Sequence, residues 1–92
     1  MKKLSEYIAD KMRIPKDVIM DLPKVSVCGD KEVYIENHKG LLGYTDSEIS
    51  VKMNDGIMYI CGIKLRIVAI DVGRMVINGS FTGIKYEKIG RI

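Results

Sequence analysis

The chain changes its hydrophobic period near residue 24. Between residues 2 and 13, apolar side chains recur at three- and four-residue steps, which predicts an amphipathic helix. The stripe consists of Leu4, Tyr7, Ile8 and Met12. Pro15 ends that helix and is well placed to begin a short second one, which Pro23 closes. We therefore expect an N-terminal helical segment at 1–23, followed by a β domain at 24–92.

Beyond residue 24, apolar and polar positions alternate with a period of two, which is typical of half-buried strands. Candidate strands lie at 24–27, 32–36, 41–44, 49–53, 57–61, 63–70, 75–77 and 81–87. Asn54-Asp55-Gly56 predicts a hairpin, because Asp-Gly accepts the positive φ of a type I′ turn. The two segments after this turn are apolar on both faces, which predicts central strands that are covered on both sides.

A weak internal repeat relates two of these segments. Residues 56–62 and 73–79 share the pattern Gly-x-Met-x-Ile-x-Gly at a spacing of seventeen residues. Glycine at both ends of a strand unit favours sharp bends of the sheet. The fold predicted is mainly β, an antiparallel β-meander that forms a small sandwich or roll. The alternative is a short β-solenoid, in which stacked repeats would close the core.

Composition indicates one globular domain with an uneven charge. The 92 residues are 47% apolar and 29% charged, with a net charge of +3. Acidic residues predominate in 25–60, and basic residues predominate in 61–92. Such an asymmetry suits head-to-tail self-association or docking on an anionic surface.

Cysteine usage and the N-terminus point to the cytoplasm. Cys28 and Cys61 lack metal-ligand spacing, and we expect them to be buried free thiols in strands. Ser5, Glu6 and Asp10 interrupt the apolar run that a signal peptide requires. No stretch approaches the ~20 apolar residues of a membrane span.

Candidate chemistry is sparse in this sequence. His38, the one histidine, lies in Asn37-His38-Lys39-Gly40, a predicted turn whose side chains face water. The acidic residues match no calcium loop, and the glycines form no phosphate loop. We therefore expect no catalytic residue, no metal and no cofactor. Tyrosines interleaved with Lys and Arg leave one alternative open, a small β-barrel module for nucleic-acid binding or regulation.

Two pieces of the sequence resemble a known family. The first ends in Asp21-Leu22-Pro23, and the second, residues 33–42, contains Glu36, Asn37, His38 and Gly40. Together they resemble the YabP/YqfC family of sporulation proteins, and more specifically its YqfC branch, over nearly the whole chain. The resemblance implies a protein of the mother cell in endospore-forming bacteria that takes part in assembly of the spore envelope. It implies no known chemistry and no cofactor.

The expected function is therefore that of a non-enzymatic structural or interaction component in spore envelope (coat/cortex) assembly. We expect the partners to be copies of the chain itself, a membrane-embedded sporulation protein, or both, and no nucleic acid. The expected location is the mother-cell cytoplasm, peripheral at the forespore outer membrane surface. The candidate interaction residues are Leu4, Tyr7, Ile8, Met12, Ile60 and Leu65.

Overall fold

The computed structural model describes residues 21–89, which form one antiparallel sheet. The predicted helices and their apolar stripe lie outside the described residues. The six strands are β1 (Lys24–Cys28), β2 (Glu32–Glu36), β3 (Gly40–Tyr44), β4 (Glu48–Lys52), β5 (Gly56–Asp71) and β6 (Arg74–Lys88). Within this range every strand pair is antiparallel, so the mainly β prediction is confirmed and the solenoid alternative is wrong.

The strand order departs from a simple meander at one connection. The order across the sheet is β1-β2-β6-β5-β4-β3, so β2 and β3, consecutive in sequence, lie far apart in it. The physical reason is the length of β5 and β6, at 16 and 15 residues. The long β5–β6 hairpin has two outer edges, and a short hairpin pairs with each of them: β3–β4 with the edge of β5, and β1–β2 with the edge of β6. β4 pairs with the first half of β5, and β2 pairs with the first half of β6.

The β5–β6 hairpin bends at its middle, where the backbones approach each other closely. The pairing register shifts between Cys61 and Gly62 and again between Ile63 and Arg66. A Cβ on Gly62 would collide with the carbonyl oxygen of Ser80. A Cβ on Gly79 would lie 2.8 Å from the carbonyl oxygen of Lys64, and the φ of Gly79 is +143°. Only glycine fits this corner, because any side chain would push the two strands apart.

The bend folds the sheet onto itself, so that both halves share one core. The buried apolar residues form one cluster: Val33, Ile35, Ile49, Val51, Met53, Met58, Ile60, Leu65, Met75 and Ile77. Alternation along each strand supplies them, since every second residue of a strand faces the same side. Leu65, from the corner itself, fills the space next to the two glycines.

The seventeen-residue repeat has a structural counterpart. Met58 and Ile60 pair with Val51 and Ile49 on β4, and Met75 and Ile77 pair with Ile35 and Val33 on β2. Both repeats thus contribute the same two core positions, each beside a short hairpin, and each repeat ends at a corner glycine. The described fold therefore consists of two similar halves joined at the bend.

The covering of β5 and the turn before it differ from the sequence-based expectations. The two apolar segments form β5, which is not covered on both faces, since Ile63, Val68 and Ile70 are exposed. Beyond Cys61, β4 no longer pairs with β5. Asn54-Asp55-Gly56 has no positive φ, so the type I′ prediction is wrong. Gly56 is required there because a Cβ would collide with the Glu87 carbonyl oxygen.

The burial of the cysteines also differs from the expectation. Both thiols are free, as expected, but Cys28 is exposed and Cys61 is half-buried, because both side chains belong to outer faces. Tyr59 lies on an outer face and not in the core, with the Lys85 ammonium 5.1 Å from its ring centroid. Phe81 is half-buried and packs against the periphery of the core.

We predict that Gly79→Ala lowers the free energy of unfolding by about 2 kcal/mol or more, because strained φ and steric overlap act together. Denaturant unfolding would measure it. Gly83→Ala is the matched control, since a Cβ at Gly83 meets nothing within 4 Å and its φ is ordinary. The control is expected to be neutral or slightly stabilising. Equal midpoints for both variants would contradict the role assigned to the corner.

Candidate functional site

The two sequence pieces that carry the family resemblance meet at one end of the sheet. The amide Nδ2 of Asn37 donates to Asp21 Oδ1 at 3.1 Å and to the Leu22 carbonyl oxygen at 3.0 Å. Lys39 Nζ lies 3.0 Å from the same Asp21 oxygen. The backbone permits this because Asp21 and Asn37 both have positive φ, 54° and 65°, which Asp and Asn tolerate better than most residues. The loop between β2 and β3 therefore holds the segment that leads into β1.

Asp21 is electrostatically stabilised as a carboxylate. The hydrogen bond from Lys39, followed by that from Asn37, lowers the pKa of the Asp21 carboxyl below its ordinary value. Both donors favour the charged form, because each hydrogen bond is stronger to a carboxylate than to a neutral acid. The side chains of Asp21 and Lys39 are partly exposed, so the ion pair orders the loop more than it stabilises the whole fold.

His38 is buried, which corrects the expectation that its side chain faces water. Only 7% of the residue is exposed. The ring Nδ1 of His38 accepts a hydrogen bond from the Gly40 N–H at 2.9 Å. The backbone N–H of His38 donates to the Gly73 carbonyl oxygen at 3.3 Å. With Nδ1 acting as acceptor, the neutral ring carries its hydrogen on Nε2. That buried Nε2 has no hydrogen-bond partner among the described residues.

A groove of about 830 Å³ lies over this loop, between residues 37–41 and residues 70–73. Leu41 and Ile70 contribute half-exposed side chains, and Val72, at the tip of the β5–β6 hairpin, is 99% exposed. Asp71 stands on one side, where it pairs with Arg74 at 3.0 Å and raises the pKa of that guanidinium. The groove thus has an apolar interior and a charged border.

The apolar residues of the groove belong to a set of exposed apolar side chains on the same strands, which we call the apolar margin. It consists of Leu41, Leu42 and Tyr44 from β3 with Val68, Ile70 and Val72 from β5 and its hairpin. The two strands belong to opposite halves of the fold, but they meet here, since the Ile67 N–H donates to Tyr44 Oη at 3.1 Å. Exposed apolar side chains on two strands that meet in this way form a surface suited to protein contacts.

The remaining predicted site residues are distributed as follows. Pro23 follows the Asp21 cluster directly, Glu36 is exposed at the end of β2, and Gly40 begins β3 with a φ of +139°. Ile60 and Leu65, expected at an interaction surface, are 0% and 2% exposed, so their side chains fill the core. The stripe residues Leu4, Tyr7, Ile8 and Met12 lie outside the described range.

Sequence reasoning missed Val72 and Lys39 as site residues. Val72 lies between two of the predicted strands, 63–70 and 75–77, and a β-branched apolar residue at the tip of a hairpin is an unusual choice for a solvent-facing position. Lys39 lies in the predicted turn at residues 37–40, where its sequence context indicates no role. Its distance of eighteen residues from Asp21 gives no local signal, because only the tertiary fold brings them together.

Other chemistries find little support in the part of the chain that the structure describes. Within residues 21–89, His, Cys, Asp and Glu nowhere cluster in threes suited to a metal ion. Over the same residues, no helix has the length and apolar character needed to cross a bilayer. Tyr34 and Tyr59 do not share a stacking face, since they lie on the outer faces of opposite halves.

We predict that Lys39→Met raises the pKa of Asp21 toward its ordinary value of about 3.9, measured by carboxyl NMR titration. Because the contacts lower the pKa of Asp21, they stabilise the loop at pH values above the ordinary pKa. Their contribution to stability is lost as the pH falls through the lowered pKa. Lys31→Met, a change at the opposite turn, is the control that should leave the Asp21 titration unchanged. Identical titrations in the Lys39→Met and unaltered proteins would contradict the cluster.

We predict that His38→Ala lowers the free energy of unfolding by about 1–3 kcal/mol, because it leaves a cavity and removes the acceptor of the Gly40 N–H. Thermal or denaturant unfolding would measure the loss. Asn54→Ala, an exposed turn substitution, should stay within about 0.5 kcal/mol. A His38→Ala protein as stable as the control would restore the view of His38 as a solvated turn residue.

Comparison with known proteins agrees with the motif residues. The sequence profile of the YabP family matches residues 21–91. The chain is also similar to a protein of Bacillus subtilis (strain 168) described as "Uncharacterized protein YqfC", with 31% identity over 84 residues. That alignment covers 91% of this chain and 90% of the relative. No solved structure matches the chain. The profile match spans the whole described sheet and the Asp21–Asn37–Lys39 cluster, and the chain belongs to the YabP family.

Proposed function

We propose that this protein is a non-enzymatic interaction component of spore envelope assembly. It works in the mother cell, where it associates with copies of itself and docks at the forespore outer membrane surface through a membrane-embedded sporulation protein. Membership of the YabP family supports the sporulation context, in line with the resemblance of the motif residues. The apolar margin is the observation that carries the proposal.

The margin suits protein contact for two physical reasons. First, exposed leucine, valine and isoleucine side chains gain about 25 cal/mol per Å² of apolar area when a partner covers them. Second, the margin lies on strands β3 and β5, which are hydrogen-bonded into the sheet, so a partner meets a preformed surface. Tyr44 contributes an aromatic side chain, a residue type enriched at interfaces.

A row of charged residues would fix the orientation of this contact. Lys24, Glu36, Arg74 and Asp71 occupy one row across the four strands of one half, with alternating sign. Such a row pairs with a complementary row in one register and repels it when shifted by one strand. A self-assembling component benefits from this selectivity, since an apolar surface alone does not fix orientation.

We predict that a double variant, Leu42→Glu with Val68→Glu, loses localisation in sporulating cells while retaining its fold. The unaltered chain with a fluorescent C-terminal fusion should form a ring or cap around the developing forespore after engulfment begins. The variant should remain diffuse in the mother cell, because two carboxylates on the apolar margin oppose its burial. Microscopy through a sporulation time course would test this.

The matched control carries the same two added charges elsewhere, as Asn54→Glu with Thr82→Glu, both exposed polar positions off the margin. It should localise like the unaltered chain. Circular dichroism of the purified variants would confirm that both keep the β fold. Diffuse signal from the unaltered protein, or signal over the nucleoid, would overturn the proposal and favour the nucleic-acid alternative.

A further inference from the structure

We infer that the last part of β6 pairs with the same segment of a second copy of this chain, so that two sheets join edge to edge. The segment is residues 83–88, which we call the β6 edge. In this pair the two strands run antiparallel, with Tyr86 of one copy opposite Tyr86 of the other. The contact goes beyond the proposed function, because it uses a surface separate from the apolar margin on β3 and β5.

The β6 edge is the regular one among the exposed edges of the described sheet. Within residues 21–89, four stretches have a neighbouring strand on one side only: β1, β3, the second half of β5 and the β6 edge. β3 and the second half of β5 contain register shifts, and β1 directly follows Pro23. Bulges and prolines hinder the pairing of an edge with another chain. The β6 edge has neither, since it pairs with β5 without a shift from Gly83 to Lys88.

The turn between β1 and β2 determines where this edge begins. Asn78 is the last residue of β6 that pairs with β2. The N–H groups of Gly79 and Phe81 then donate to the carbonyl oxygens of Lys31 and Asp30, at 3.1 and 2.7 Å. Beyond Phe81, no strand among residues 21–89 lies on this side of β6.

The main-chain groups of the edge are directed away from β5. The Ile89 N–H donates to the Asp55 carbonyl oxygen at 3.0 Å, on the β5 side. Main-chain groups point to alternate sides along an antiparallel strand, so those of Ile84, Tyr86 and Lys88 point to the free side. With Tyr86 opposite Tyr86, these groups meet as hydrogen-bonded pairs of the two copies.

The side chains of the edge are complementary to themselves in this register. Lys85 of each copy lies opposite Glu87 of the other, which gives two pairs of opposite charge. Neither residue belongs to an ion pair within residues 21–89. Tyr59 positions both on the outer face, because its hydroxyl donates to Glu87 Oε1 at 2.8 Å and its ring centroid lies 5.1 Å from Lys85 Nζ. A segment that complements itself is the requirement for a two-fold symmetric contact, and it favours a second copy over another partner.

Neighbouring registers are less favourable. With Lys85 at the centre, the two ammonium groups face each other directly, and like charges in that position are destabilising. With Ile84 at the centre, Phe81 comes opposite Glu87, and the β1–β2 turn already occupies the edge at Phe81. The charge pattern therefore selects the register centred on Tyr86.

The inner face of the edge also gains from this pairing. Tyr86 lies opposite the buried Met58 on β5, but 55% of it is exposed. In the pair of copies the two Tyr86 rings become cross-strand neighbours, and such aromatic pairs stabilise antiparallel strands. Ile84, which packs against the core, lies two residues away on the same face.

An exchange of charges in the full chain tests the inference. Lys85→Glu places two carboxylates on the edge, and Glu87→Lys places two ammonium groups there; both positions are exposed. We expect an immobilised Lys85→Glu chain to retain about tenfold more of the Glu87→Lys chain than of a second Lys85→Glu chain at low ionic strength. The apolar margin is identical in both mixtures, and both variants keep a net positive charge, so neither accounts for the difference.

The matched control carries Lys85→Glu and Glu87→Lys in one chain. It reverses both charges and keeps the edge complementary to itself, so it should associate like the unaltered chain. Equal retention in the two mixtures, including none in either, overturns the inference. A control chain that associates no better than the Lys85→Glu chain also overturns it. Loss of localisation on charging the apolar margin concerns the proposed function alone.

Discussion

The close approach of two backbones at the corner of β5 and β6 is the constraint on which the rest of the fold depends. Gly62 and Gly79 lie where a Cβ would strike main-chain atoms of the opposite strand or of Leu65. Because these two residues have no side chains, the long β5–β6 hairpin can bend so that its two halves pack against each other. Without the bend, Met58 and Ile60 would have no facing layer, and Met75 and Ile77 on the other half would be exposed with them. The core is therefore a product of this corner as much as of the hydrophobic pattern.

The same bend creates the surfaces that we associate with function. Once the long hairpin is folded, the second half of β5 becomes a margin beside β3, and apolar residues of both strands stay exposed there. The β2–β3 loop must cross between the halves, and it does so beneath the β5–β6 hairpin through the His38–Gly73 hydrogen bond. This crossing brings Asn37 and Lys39 to Asp21. The bend of the β5–β6 hairpin therefore determines both the fold and the position of the candidate site.

Local patterns predicted most strands, and the glycine repeat predicted bends. Alternation placed Val33, Ile35, Ile49 and Val51 correctly, because a period of two is a property of each strand alone. The order of the strands was beyond such reasoning, since it depends on which half of a long hairpin each short one joins. Ile60 and Leu65 were identified as important but assigned to a surface. Likewise, an Asn-His-Lys-Gly turn gives no local sign that its histidine is buried, because burial comes from the hairpin above it.

Sedimentation velocity of the purified full chain over a wide concentration range tests the proposed self-association through the apolar margin. We expect the unaltered chain to shift to larger species as its concentration rises. Leu42→Glu with Val68→Glu should form nothing larger than the dimer of the β6 edge, while Asn54→Glu with Thr82→Glu should associate like the unaltered chain. A chain that stays monomeric at every concentration, or one that associates equally with the margin charged, would contradict it.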